Sequence, residues 1–260
     1  MNDEMLVLQL DESHGSVIKN HEFAHYSALK VIDLPKGIEI IEDYAFYRCL
    51  ALEEIYLYAG IKRLGCGAFM GCKKLKKIVI KDVEDDIYFL TEILYDFQYE
   101  VEVELYFKNG TFVKLTFPEY YEESVENTPA RIIDIVFHGS GYKYRQCIRN
   151  RQMDYEKYDS VFTYAIAQEF TPTCIRIAMN RLSTPVGLRT GAKDKYIVYL
   201  REQSKEVAKE ICKEDNLEAL SVLADAGYFT EELLHEFQDC ASAMGRAEMA
   251  SYLLNYRMEH

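Results

Sequence analysis

Between Ile18 and Ile80 the apolar positions recur every 23 residues, and the recurrence predicts a stack of rows. Five columns align: Ile18, Ile41 and Leu64; Phe23, Phe46 and Phe69; Leu29, Leu52 and Leu75; Ile32, Ile55 and Ile78; Leu34, Leu57 and Ile80. A unit this short cannot bury its apolar face alone, so each row, one strand plus a return segment, leans on its neighbours. In the row ending L-x-x-I-x-L the named positions point inward and the others outward. The outward positions read Lys30, Glu53, Lys76; then Val31, Glu54, Lys77; then Asp33, Tyr56, Val79. Leu6, Leu8 and Leu10 alternate ahead of the first row and predict a strand covering the repeat core.

After Ile80 the columns stop. Val101, Val103 and Leu105 alternate with Glu100, Glu102 and Glu104, Asn109-Gly110 interrupts, and Phe112, Val113, Leu115 and Phe117 follow, which predicts a hairpin closed by Pro118. With a further strand over Ile132 to Phe137, the segment reads as a small antiparallel meander that extends or caps the repeat sheet. From about Tyr155 the period turns helical: Tyr158, Val161, Phe162 and Ala165 form one face, and Cys174, Ile177, Ala178 and Leu182 another, stopped by Pro185. Segments 196–200, 207–212 and 217–223 continue the pattern. Gly227 supplies a left-handed helix stop, and Thr230 with Glu231 and Glu232 supplies the next N-cap and acidic first turn.

Leu34-Pro35 closing a row, Ala45-Phe46 followed by Cys49, and Gly65-Cys66-Gly67-Ala68-Phe69 followed by Cys72 resemble the BspA-like leucine-rich repeats of bacterial proteins. The resemblance covers roughly the first third of the chain; the first row departs from it, with Glu22 at the Ala position and Tyr26 at the Cys position. It implies a curved module used for binding or adhesion, in proteins that are often exported, and it carries over no catalytic residue. Residues 217–255 are similar to ankyrin repeats, because the pattern of Leu217 to Gly227 returns thirty residues later in Ala247 to Asn255, although the T-P-L-H turn is absent. The fold expected is therefore α+β: a leucine-rich-repeat module over 1–81, an acidic β-meander with a basic connector over 82–150, and an ankyrin-like α-solenoid over 151–260.

Charge narrows the function classes. The chain carries 43 Asp and Glu against 30 Lys and Arg, a net of -13, and residues 82–130 alone hold 13 acids against 2 lysines. Such a balance argues against a general nucleic-acid binder, which needs clustered cations to neutralise phosphates. The seven cysteines show no paired spacing, and Cys49 and Cys72 share a core column, so buried free thiols in a reducing compartment are expected. Asp3 and Glu4 precede only a short apolar run at the N-terminus, and no run is long enough to span a membrane; the expectation is a cytoplasmic protein.

Candidate chemistry is sparse. His21-Glu22-Phe23-Ala24-His25 matches H-E-x-x-H, the zinc-hydrolase pattern, but the repeat register assigns Phe23 to the core and leaves room for about one or two helical turns. Asp82, Glu84, Asp85 and Asp86 lack the alternating ligands and closing Glu of a calcium loop. In 139–151, Tyr142, Lys143, Arg145 and Arg149 interleave cations with aromatics after a Gly-rich loop, an arrangement suited to an anion or a nucleic-acid base. His138 and Cys147 lie close in sequence without a third orienting group. No cofactor, metal site or catalytic residue is assigned. The function expected is non-enzymatic binding of a protein partner through Asp33, Tyr56, Tyr58 and Val79, where aromatic anchors stand beside apolar surface; the alternatives in other classes are the anion binder at 142–151 and the zinc hydrolase at His21 and His25.

Overall fold

A computed structural model describes residues 6–84, 86–127 and 132–259. The chain forms two compact units, Met1–Gln168 and Glu169–His260. The first contains β1 (Val7–Gln9), β2 (Val17–Ile18), β3 (Val31–Asp33), β4 (Ile40–Ile41), β5 (Glu54–Tyr58), β6 (Arg63–Leu64), β7 (Lys77–Val83), α1 (Tyr88–Asp96), β8 (Val101–Phe107), β9 (Phe112–Phe117), β10 (Tyr121–Asn127), β11 (Ile132–His138), α2 (Gly141–Arg145) and α3 (Tyr155–Gln168). The second is helical among the described residues: α4 (Thr171–Ser183), α5 (Thr190–Glu202), α6 (Ser204–Glu214), α7 (Leu217–Ala226), α8 (Glu231–Ala243) and α9 (Ala247–Glu259).

The rows stack in the register their columns imply. A six-stranded sheet runs β1-β3-β5-β7-β8-β9, parallel from β1 to β8, and β2, β4 and β6 form a second parallel ladder. Ile32, Ile55, Ile78 and Val103 are successive partners, so β8 continues the core column one strand past the last repeat. Between the ladders Phe23, Phe46 and Phe69 stack with ring centroids 5.4 and 5.2 Å apart, all three buried. The Cys49 and Cys72 thiols donate to the carbonyls of Phe23 (3.2 Å) and Phe46 (3.3 Å), which ties each row's Cys to the Phe of the row before. The thiols thus add a link between rows at carbonyls of the return turns, Phe46 O accepting from Cys49 N–H (3.3 Å) as well.

Residues 82–150 depart from the expected meander. The β8–β9 hairpin joins the repeat sheet, with β9 antiparallel at its edge, while β10 and β11 pair in a separate two-stranded sheet. Between β7 and β8 the chain forms α1, whose Phe89, Leu90, Ile93 and Leu94 are buried and fill the place of a return segment. That i, i+1, i+4, i+5 pattern is helical, but it lies inside an acidic stretch that reads as loop. Helix α3 belongs with the first unit and not with the C-terminal helices: the buried Tyr158 hydroxyl donates to Thr116 O (2.6 Å) and accepts from Thr116 N–H (3.1 Å) on the outer edge of β9. An otherwise open strand edge is thereby closed.

In the second unit the local signals act as read. Gly227 adopts φ 77° after α7, the Thr230 hydroxyl accepts from Leu233 N–H at the start of α8, and the Asn216 side chain accepts from Ala219 N–H to begin α7. Arginines close helix ends: Arg246 donates to Cys212 O (2.8 Å) and Lys213 O (3.0 Å), and Arg201 to Tyr228 O (2.9 Å) and Gly227 O (2.7 Å). These carbonyls lie at or just past helix C-termini, where backbone donors run short and a cation is a favourable partner; Cys212 O also accepts from Asp215 N–H (3.4 Å).

Candidate functional site

The outward face of the six-stranded sheet gathers most of the residues expected to bind a partner. Asp33, Tyr56 and Val79 are successive partners across β3, β5 and β7, and Tyr58 lies beside Lys81. Tyr56, Tyr58 and Asp33 are partly exposed. Lys81 bridges them, its Nζ 5.4 Å from each of the two tyrosine ring centres and 3.8 Å from Asp33 Oδ1. The Tyr56 hydroxyl donates to Glu54 Oε2 (2.6 Å), which fixes the ring. Val79 departs from the expectation: it is only 2% exposed. It sits on a central strand flanked by Tyr56 and Glu104, and Lys77 and Lys81 lie two residues either side, the former paired with Glu104 at 3.0 Å. A small side chain inside that lattice of long ones is roofed over.

Residues of the β8–β9 hairpin that the sequence did not assign to this face extend it. Glu102 and Glu104 of β8 point outward with Tyr106, and the Tyr106 ring packs on Phe112 with centroids 4.7 Å apart. Ion pairs Lys77–Glu104 and Lys114–Glu102 (3.1 Å) cross neighbouring strands. The surface is therefore an aromatic row, Tyr58, Tyr106 and Phe112, above a charge-balanced one. The alternation of Glu100, Glu102 and Glu104 with apolar residues carried the signal, but without the parallel pairing of β8 to β7 nothing linked it to the repeats.

The other candidates do not assemble as chemistry. Arg145, placed among the anion-binding residues, is 1% exposed; its guanidinium donates to Leu94 O (3.0 Å), Pro118 O (2.6 Å), Gly141 O (3.1 Å) and Tyr99 O (2.9 Å), and burial pushes its pKa down to about 10. With Phe97 O (3.5 Å) as a fifth acceptor, a guanidinium spent on five carbonyls is a brace, not an anion receptor. Tyr142 stacks on Phe137 at 3.6 Å, Lys143 lies 4.7 Å over Tyr164, and Arg149 is exposed on a short strand paired with Gln152. His21 and His25 both adopt left-handed backbone (φ 56° and 63°) in turns, so they are not one helical turn apart, and their rings lean on Tyr44 and Tyr47. Glu22 instead holds His14 Nε2 (2.9 Å) and the Lys19 N–H (2.7 Å). No group of three or more potential metal ligands occurs among the described residues. His138 pairs with Glu123 (2.8 Å), and burial pushes the Cys147 thiol up to about 12, far from a reactive thiolate. Asp82, Glu84 and Asp86 pair with Lys36, Lys108 and Arg151, while Asp85 lies outside the described residues.

One more feature was not foreseen. The Asp96 carboxylate, at the end of α1, accepts from Phe69 N–H at 3.0 Å, where Phe23 and Phe46 N–H each donate to the carbonyl of the next row, Ala45 (2.9 Å) and Ala68 (2.8 Å). It stands in for the missing fourth row. Burial raises its pKa to about 6, against the lowering effect of the Phe69 and Gly67 amides. Beside it opens a cleft of about 530 Å³ lined by residues 70–73, 95–99 and 119–121.

Residues 8–99 match the family model described as BspA type leucine rich repeat region (6 copies). The match takes in the stacked rows, α1 and the start of the cleft, and it agrees with the resemblance carried by the Ala-Phe and Cys positions. Neither a search of the curated proteins nor one of the solved structures returned a match. Among the described residues no helix is long and apolar enough to cross a membrane.

Proposed function

We propose that the chain is a non-enzymatic protein-binding module, a short repeat solenoid whose outward strand face receives the partner, followed by an ankyrin-like helical region. The observation that carries this reading is the partly exposed aromatic set on an otherwise ion-paired sheet: Tyr56 and Tyr58 held by Lys81, continued by Tyr106 and Phe112. Leucine-rich repeats commonly serve protein interaction, stacking strands into extended surfaces of this kind. Rigid tyrosines are favoured anchors because they bury large area at small cost in rotamer entropy. For the second unit, the support is the succession of helix pairs α6–α7 and α8–α9, the left-handed Gly227 between them and the returning Leu pattern.

The test is site-specific photocrosslinking in an extract of the native host, with benzoylphenylalanine at position 58 or, as control, at the exposed Lys62 position on the other ladder. The expected outcome is a discrete adduct from position 58 only, competed away by wild-type protein and at least about tenfold less well by Tyr56→Ala, Tyr58→Ala, one strong anchor lost being worth roughly 1.4 kcal/mol or more. Equal adducts from both positions, or undiminished competition by the double variant, would overturn the reading.

A further inference from the structure

The last repeat ends at an open edge. Return turns of successive rows are joined by His25 N–H to Tyr47 O (2.8 Å) and Arg48 N–H to Met70 O (2.9 Å); the corresponding residue of the next row is Gly71, and among the described residues no backbone carbonyl takes its N–H. Gly71 lies in the wall of the 530 Å³ cleft. The same lining includes Tyr95, Tyr99 and Tyr121, 48%, 43% and 59% exposed, the Tyr121 ring being stacked on His138 with centroids 4.4 Å apart, together with the acids Asp96, which also accepts from Phe69 N–H, and Glu119, with Lys73 as the one cation of the lining. The walls are held before any ligand arrives, because Arg145 ties the end of α1, Tyr99 and Pro118 together from below and Gly141 admits Pro118 O to within 2.1 Å of where a Cβ would stand.

We infer that this cleft binds an extended peptide segment presenting an arginine or lysine side chain, its carbonyl on the Gly71 N–H and its cation between the tyrosine rings and the carboxylates of Asp96 and Glu119. Charge complementarity selects the occupant: residues 82–130, which supply most of the cleft, hold 13 acids against 2 lysines, so an anionic ligand is repelled. Tyrosine faces attract cations, and Tyr120 in the same lining already carries the Arg145 guanidinium 4.9 Å from its ring centre. Asp96 gives the proposal a pH signature. Around it are the Gly67 and Phe69 amides and the Cys72 thiol of the last row and Glu92 of its own helix, with Lys73 and Glu119 in the same cleft lining; burial outweighs the lowering effect of the two amides and raises its pKa to about 6. A bound cation favours the ionised form, so binding strengthens as pH rises through 6. The site is separate from the outward sheet face, and either reading can fail without the other.

The experiment is an NMR titration of the whole chain with the peptide acetyl-Ala-Arg-Ala-amide, its citrulline analogue, and a neutral oligosaccharide. Expected are shifts centred on the Gly71, Tyr99 and Glu119 amides, arginine preferred to citrulline by about tenfold, and affinity about tenfold higher at pH 7.5 than at pH 5. Glu119→Gln and Tyr99→Ala, both at exposed positions, each weaken binding about fivefold while Tyr58→Ala leaves it unchanged, and Asp96→Asn removes the pH dependence. Citrulline binding as tightly as arginine, the oligosaccharide taking the same amides in preference to the peptide, shifts spread over the sheet face, or no saturable shift would each overturn the assignment.

Discussion

At the level of single residues, the repeat is specified as much by backbone conformation as by apolar columns. His21, Tyr44 and Gly67 occupy the same place in successive rows with φ between 56° and 63°, and His25, Arg48 and Gly71 repeat the demand four residues later, with φ of 63°, 57° and 82°. Left-handed backbone costs a residue with a Cβ roughly 1–2 kcal/mol, so two rows bear a strain that the last row avoids with glycine. The stacking explains why glycine serves best there: a Cβ on Gly67 would lie 2.7 Å from the Tyr44 ring, and one on Gly65 would lie 2.2 Å from Asp43 N. Gly67→Ala therefore combines the conformational cost with a clash, and a loss of about 2–3 kcal/mol is expected in urea unfolding. Gly191→Ala, in the first turn of α5 with open space around it, is the control and should be neutral or stabilising by up to about 1 kcal/mol.

Among the elements, α1 and the carboxylate at its end terminate the stack. In the middle of the repeat each Phe N–H finds a carbonyl of the next row; at the last row Asp96 does that work, at the cost of a buried acid. The sign of its pH dependence follows from the folded pKa of about 6 against 3.8 for the free side chain. Between about pH 4 and 6 the folded state holds the proton more tightly than the unfolded one, so this group's contribution is greatest at low pH and is lost as pH rises through that window. Comparing wild type with Asp96→Asn at pH 4, 5, 6 and 7 should show the wild type losing roughly 2 kcal/mol relative to the variant across the range; a flat difference would contradict the assignment. The rows themselves were legible because five columns hold register over three copies, and the hairpin because Asn109-Gly110 separates two alternating runs. Helix α1 was not, since its apolar face is interleaved with acids that dominate the local composition. Arg145 and Asp96 escaped for a related reason: a lone charged residue reads as solvated, and only the converging carbonyls or amides of distant segments show that it is buried. Val79 failed in the other direction, an outward position covered by longer neighbours on both sides.

For the molecule as a whole, the question is where one cooperative unit ends. Composition alone draws the line before the helical pattern begins, near residue 150, whereas the division of the fold follows Gln168. The physical reason lies in β9. As the last strand of the sheet it would expose its outer N–H and C=O groups, and Tyr158 meets both at Thr116 while its ring packs against Phe117 and Tyr144, with centroids 6.0 and 4.6 Å apart. Val161, Phe162 and Ala165, one and two turns further along α3, are buried with it. Tyr158→Phe leaves the packing and strands two buried backbone groups at a completely buried strand position, which costs about 2–4 kcal/mol. Removing α3 altogether adds the exposure of four apolar side chains, each worth roughly 1.5–3 kcal/mol when buried apart from the smaller alanine, and that sum is comparable with the whole stability of a small domain. A fragment of residues 1–168 is therefore expected to unfold cooperatively in urea with dispersed amide resonances, and a fragment of residues 1–150 to aggregate or lack a sharp transition. Equal stability of the two fragments would place α3 outside the first unit and return the boundary to residue 150.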